Sequence, residues 1–279
     1  SDKLGSDNII ATDVRESENC RVLDVMDAES IDSLVESEKI TEIYHLAALL
    51  SATGEKNPEL CWKINVEGLE NVIAIAKKYR CRLFAPSSIA VFGPDCPDLA
   101  PQVTPLNPAT VYGKTKVVGE QLAITSGVDM RGLRYPGLIS FKAPAGGGTT
   151  DYAVEIFHAA LENGHYTCFV REDTQLPMMY MDDAIRATLE IMEVPREHLG
   201  EARGGYNIAG FSFTAGQLVE SIQRHLPDFT CDFVPDIRQK YADSWPNDID
   251  DEVARNEWGW TPNFDLDTTV DAMFNGLQS

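Results

Sequence analysis

Positive charge is scarce in this chain, and so is any covalent or metal cross-link. Against 44 Asp and Glu stand only 23 Lys and Arg, a formal net charge of −21 over 279 residues. A field of that sign repels phosphodiester backbones and anionic lipid surfaces, so neither nucleic acid nor a membrane is expected as a partner. The six cysteines (Cys20, Cys61, Cys81, Cys96, Cys168, Cys231) are scattered, with no C-x-x-C pair and no histidine cluster beside them. That pattern speaks for free thiols in a reducing compartment, against a disulfide framework or a zinc site, and no metal is expected. No apolar run reaches the roughly 18 residues that span a bilayer. The opening SDKLGSDN is polar and lacks the charged-then-apolar layout of a signal peptide. Repeats and low-complexity linkers are absent too. The expectation is a soluble, cytoplasmic protein whose 43% apolar content fills a sizeable core.

What is present is an alternation of strand-like and helix-like segments. NIIATD (8–13) reads as a short buried strand ending in an acid, and DAESIDSLVESEKI (27–40) as a helix with Ile31, Leu34 and Val35 on one face. TEIYHLAAL (41–49) reads as the next strand, and PELCWKINVEGLENVIAIAKKYR (58–80) as one long amphipathic helix. CRLFAPSS (81–88) and MRGLRYPGLIS (130–140) are extended, with the helical KTKVVGEQLA between them. This rhythm predicts an α/β fold, a parallel sheet covered by helices on both faces. Ligands of such sheets gather at the carboxyl ends of the strands. Asp13, the stretch 45–49, Ser87, Ser88 and the stretch 135–137 fall there. In the second half, GGGTTDYAVEIFHAALENG (146–164) is a glycine loop running into a helix capped at Thr149, Thr150 or Asp151. PMMYMDDAIRATLEIMEV (177–194) reads as a helix starting at the acids 182–183, YNIAG (206–210) as a strand, and SFTAGQLVESIQRHLPD (212–228) as a capped helix followed by a β run.

The chemistry concentrates on TVYGKTK (110–116), which sets Tyr112 and Lys116 four positions apart. A phenol with a pKa near 10 is a poor base at neutral pH. An ammonium one helical turn away favours the phenolate, because i and i+4 share a face. Lowering the phenol by about three units needs roughly 4 kcal/mol, which calls for burial and a cationic cofactor ring as well. Ser88 ends the preceding strand and is placed to bond the same substrate oxygen. Together they suit removal of a hydroxyl proton while hydride leaves the carbon. Y-x-x-x-K also arises by chance. Here PLNPATVYG, which stops any helix ahead of Tyr112, and the strand-end serines favour the catalytic reading. Loop amides at 146–148 ahead of a helix suit a carboxylate. His45 reads as a packed strand-end histidine, the acids of DIDDE (248–252) as a solvated helix start, and Trp245, Trp258 and Trp260 as core.

PSSIAVFGP, NPATVYGKTK and LRYPGLIS resemble the extended short-chain dehydrogenase/reductase family, in its nucleotide-sugar-epimerase branch. HLAALLSATGE, PAGGGTTDYAVEIFHAAL, LPMMYMDDAIRATLEIMEVP and DSWPNDIDDEVARNEWGW are similar to the short-chain-type L-threonine 3-dehydrogenases, from about residue 7 to about residue 275. The resemblance implies a Rossmann-type doubly wound parallel sheet with a smaller C-terminal substrate-binding domain. It assigns 1–141 and 176–210 to an NAD-binding part, and 142–175 and 211–279 to the substrate part. It implies NAD-dependent oxidation of the L-threonine hydroxyl to L-2-amino-3-oxobutanoate by a homodimer joined through helices 58–80 and 115–123. In that pattern Tyr112 is the base, Lys116 its partner and a ribose ligand, and Ser88 polarises the hydroxyl. Asp13 holds the adenosine ribose, with Arg15 two residues on as the feature that weakens a preference for NAD over NADP. Asp24 and Val25 border the adenine, and Leu46, Ala47 and Ala48 line the cofactor groove. Asn65, Ser87, Tyr135 and Pro136 complete the cofactor set. Ser51, Gly148, Thr149, Thr150, Asp151 and Trp245 join Ser88 around the substrate, Asp151 facing its ammonium.

The family pattern opens with a strand and a glycine-rich phosphate loop ahead of the ribose acid. Only twelve residues precede Asp13, with a single glycine among them. The pattern therefore places that loop ahead of residue 1, and RESENCRVL and AITSGVDM also look shorter than their counterparts. A nucleotide-sugar epimerase or dehydratase on the same scaffold stays as the alternative activity, and a catalytically silent binding protein as the alternative outside enzymology.

Overall fold

Asp27 starts the first long helix because its carboxylate accepts the Ser30 amide at 3.0 Å, satisfying one of the donors a helix leaves open at its start. The computed structural model describes residues 4–279, and the element order begins with β1 (Thr12–Asp13), β2 (Arg21–Val22) and α1 (Ala28–Glu38). β3 (Glu42–Tyr44) follows, then α2 (Ser51–Lys56) and α3 (Pro58–Trp62). A π-helical turn at Lys63–Glu67 leads into α4 (Gly68–Tyr79). β4 (Arg82–Phe84), β5 (Ser87–Ser88) and β6 (Leu99–Ala100) precede α5 (Val111–Thr125). β7 (Met130–Arg131), β8 (Leu133–Tyr135) and β9 (Gly137–Ile139) come next, then α6 (Tyr152–Asn163).

The chain continues through β10 (His165–Cys168), β11 (Gln175–Tyr180), α7 (Met181–Glu193), β12 (Tyr206–Asn207), β13 (Phe211–Thr214) and α8 (Ala215–Gln223). It closes with β14 (Thr230–Phe233), α9 (Arg238–Ala242), β15 (Asp248–Ile249), α10 (Glu252–Trp258) and α11 (Leu266–Leu277). No helix among the described residues is long and apolar enough to cross a membrane.

The central sheet is parallel. β3 pairs with β4 and β4 with β7; one step along the same chains, β5 pairs with β8 and β8 with β12. The order β3, β4/β5, β7/β8, β12, with helices between successive strands, is a Rossmann-type doubly wound arrangement. One face is covered by α1, α4 and α5 around Val72, Ala76, Leu83 and Ala123, the other by α7 and α10 around Phe84, Leu133, Ala187 and Trp260. A third core packs α6, α8 and α11 against β11 and β13. There β11 pairs parallel with β9 and antiparallel with β13.

Four sequence expectations change. Thr12 and Asp13 are exposed rather than buried, because among the described residues β1 pairs only with β2. The helix expected over 58–80 is not uniform: the π turn widens it and carries Asn65 inward. The stretch 175–180 is a buried strand before the helix, an assignment its Pro177 and following helical pattern conceal. Asp251 of the DIDDE run is buried, accepting from Arg255 at 2.6 Å and from the Ala209 amide at 3.2 Å.

Candidate active site

α5 begins at Val111, three residues ahead of the helical KTKVVGEQLA read from the sequence, with Thr110 capping the Gly113 amide at 3.0 Å and Tyr112 in the first turn. Gly113 makes that placement possible: a Cβ there would overlap the Ala90 carbonyl oxygen, so the helix start sits directly on the turn that follows Ser88. Tyr112, Lys116 and Ser88 are thereby brought together. Lys116 Nζ stands 5.5 Å from the Tyr112 ring centre and donates to the Pro86 carbonyl at 2.8 Å. Burial pushes the Tyr112 phenol up to about 12, with the Ser88 hydroxyl pulling it down. Burial likewise depresses the Lys116 ammonium to about 8. Burial is the larger influence on the phenol, contrary to the simplest expectation from the i, i+4 spacing. With the phenol raised in this way, the two side chains alone do not make a base for neutral pH.

The expected cofactor residues divide. Asp13 and Arg15 lie exposed on the β1 side, where Asp13 accepts the Arg15 amide at 2.8 Å. Asp24 is exposed and accepts the Met26 amide at 2.9 Å, and Val25 packs over Gly68 at the head of α4. Leu46 and Ala47 are exposed on the loop after β3, with Ala48 partly covered. Three residues turn elsewhere. Asn65 clasps Leu49 through both its carbonyl (2.8 Å) and its amide (3.0 Å) and reaches Thr115 at 3.2 Å, so it braces the groove loop from behind. Ser87 donates to Glu120 at 2.5 Å. The Tyr135 hydroxyl bonds Thr188 on α7, while Pro136 is buried.

On the substrate side, Ser51 and Thr149 are both buried, their hydroxyls 3.4 Å apart, joining α2 to the glycine loop. Thr150 packs near Gly137, and Trp245 is 9% exposed in the core behind. The loop amides do bind a carboxylate, but the chain's own. Asp151 Oδ2 accepts from Gly147 at 2.7 Å and Gly148 at 2.8 Å, which engages one oxygen of this acid and leaves Oδ1 without a hydrogen bond among the described residues. Gly147 adopts φ 90°, a conformation glycine takes without strain.

Two features escape a reading of the sequence alone. Glu120, one turn beyond Lys116 on α5, makes a buried bidentate pair with Arg134 (2.9 and 2.8 Å) that ties β5, β8 and α5 together under the site. The i+4 spacing from Lys116 was the available signal. His45, Asn65, Lys116 and Glu120 also line, together with apolar residues such as Leu69, Ala85 and Met130, a small cavity of about 20 Å³.

Residues 3–209 match the family model for the NAD dependent epimerase/dehydratase family. The chain belongs to that family. It is an enzyme family whose cofactor is a nicotinamide nucleotide. An uncharacterized epimerase/dehydratase of Staphylococcus haemolyticus is 44% identical over 98% of this chain and 90% of its own length. Among solved structures, a monomeric L-threonine 3-dehydrogenase from a metagenome is 50% identical with a TM-score of 0.94, covering 99% of this chain and 92% of that one. The holo form of a GalE-like L-threonine dehydrogenase from Cupriavidus necator is 47% identical with a TM-score of 0.96, covering 99% and 93%.

Proposed function

We propose that this protein oxidises L-threonine at its side-chain hydroxyl to L-2-amino-3-oxobutanoate, with NAD as the acceptor. The observation that carries this reading is the convergence of Tyr112, Ser88 and Lys116 at the start of α5, against which packs α2, whose Ser51 meets Thr149. The likeness to L-threonine dehydrogenases over nearly the whole chain supports it. Lys116 spends one of its three N–H groups on Pro86 among the described residues, leaving donors for a ribose diol. NAD, when bound, supplies the hydride acceptor and a positively charged ring. Ser88 holds the substrate hydroxyl, Tyr112 takes its proton, and Lys116 stabilises the phenolate once the site is filled. Asp13 would hold the adenosine ribose, favouring NAD over NADP by repelling a 2′-phosphate. The division at 142–175 and 211–279 into a substrate-binding part, and a homodimer, belong to the same proposal.

The test is NADH formation at 340 nm with L-threonine, L-serine and UDP-sugars. L-threonine is expected to turn over well. L-serine, lacking one methyl, is expected to be roughly 10–200-fold poorer, and UDP-sugars inert. Tyr112→Phe should lose about 10²–10⁴-fold in kcat with NAD affinity within a fewfold. UDP-sugar turnover rivalling threonine would replace this reading with the epimerase alternative.

A further inference from the structure

Three side chains of α5 at four-residue intervals, Tyr112, Lys116 and Glu120, share one face of the helix. They meet three consecutive residues of the opposing segment. Lys116 donates to the Pro86 carbonyl at 2.8 Å, Glu120 accepts from the Ser87 hydroxyl at 2.5 Å, and the Ser88 hydroxyl faces the Tyr112 phenol and pulls its pKa down. Of the three, only Glu120 has no part in the proposed chemistry. Its carboxylate is anchored from the far side. Arg134 holds it through Nε (2.9 Å) and Nη2 (2.8 Å), and donates in turn to the Gln102 carbonyl and to Asn207, both at 3.1 Å. Gly205 closes over it, since a Cβ there would overlap Oε1. Glu120, Arg134 and Ser87 are all buried. Ser87 and Arg134 are also cross-strand partners of β5 and β8, and the next pair in register is Ser88 with Tyr135. The carboxylate is thus a fixed point beside the residue that precedes Ser88.

We infer that Glu120 is a positioning residue for the oxidation: by holding Ser87, it sets where Ser88 stands against Tyr112. The inference rests on the reading above, in which Ser88 holds the substrate hydroxyl and Tyr112 takes its proton. β5 is only two residues long, so its ladder gives Ser88 little purchase of its own. A hydrogen bond to an ionised carboxylate is roughly twice as strong as a neutral one, and here it is made one residue away from the chemistry. Ser88 and Tyr112 are therefore held at a set separation while their own polar groups stay available to the substrate. Misplacing such a group by about 1 Å costs on the order of 100-fold in rate.

Glu120→Ala strands the Arg134 guanidinium in the core and threatens the fold, so the tie is cut from its other end. Ser87→Ala removes the donor and leaves the Glu120–Arg134 pair intact. In steady-state kinetics with L-threonine and NAD, kcat should fall by about 10- to 100-fold, with both KM values within a fewfold. The pH at which kcat is half-maximal should also move up, because a loosened Ser88 no longer favours the phenolate. The other titratable groups packed about this turn are Cys61 of α3, Glu55 of α2, which accepts the Val111 amide at 2.5 Å, and His45 beside Lys116. None of them is altered by this substitution. Both changes are required. A lower melting temperature with kcat and its pH profile unmoved would make the tie structural only and overturn the inference. A raised NAD KM at unchanged kcat would overturn it too, by making Ser87 a cofactor contact. If the unmodified protein binds NAD but does not oxidise threonine, the parent reading falls, and this inference with it.

Discussion

His45 shows how one residue's surroundings set a property of the whole chain. It sits 8% exposed at the end of β3, and burial, then the Lys116 charge, depress its imidazole to about 4. Between pH 6.5 and 4 the unfolded chain binds a proton here that the folded chain refuses, so stability falls as the pH drops through that window and is unaffected above it. At pH 5 the loss from this group is about 2 kcal/mol. Urea unfolding at pH 7.5 and pH 5 should therefore show a smaller difference for His45→Gln than for the unmodified protein, by about that amount. An identical difference in both would show that His45 is protonated in the folded state. Tyr112, Lys116 and Ser88 were legible residue by residue because spacing on a helix and position at a strand end are local facts. The direction in which Asn65, Ser87 and Tyr135 turn was not, since Leu49, Glu120 and Thr188 lie far away in sequence.

Among the elements, α5 carries the most. Its cap at Thr110, its first turn on the Ala90 carbonyl and the Glu120–Arg134 pair one turn past Lys116 fix its position at three heights. Gly113→Ala inserts a methyl where no space exists and should cost about 1–3 kcal/mol by urea unfolding. Because the displaced turn holds Tyr112, kcat should fall further than the stability loss accounts for in protein that is still folded at assay temperature. Full kcat in a folded Gly113→Ala protein would show that the contact with Ala90 does not position the tyrosine. Helix starts were readable where a cap residue bonded its own turn at Asp27 and Thr214, whereas at Thr110 the helix starts three residues ahead of the stretch read as helical. The π turn at 63–67 was not, because it answers to Asn65 reaching Leu49 across the groove.

For the whole molecule, charge and association pull in opposite directions. A net charge of −21 opposes self-association, yet Leu60 and Trp62 on α3 and Ile124 on α5 are each at least 41% exposed on the helices expected to join two copies. If two copies meet through these helices, that apolar area would be buried. Light scattering after gel filtration should give twice the chain mass, and Trp62→Glu should halve it. A monomer at all protein concentrations would remove the dimer from the proposal and match the state named for the metagenomic L-threonine 3-dehydrogenase.

The sequence by itself determined the α/β class, the parallel order of elements, the Tyr112–Lys116–Ser88 group and the glycine loop, because each rests on periodicity, capping or spacing within a few residues. Only the tertiary structure decided what those groups have left to offer. It closed the loop amides on Asp151, turned Ser87 to Glu120, buried the Tyr112 phenol so that its pKa rises, and brought Glu55 to the residue before the tyrosine. Hydrogen-bond partners and burial depend on which distant segments meet, and no local pattern encodes that.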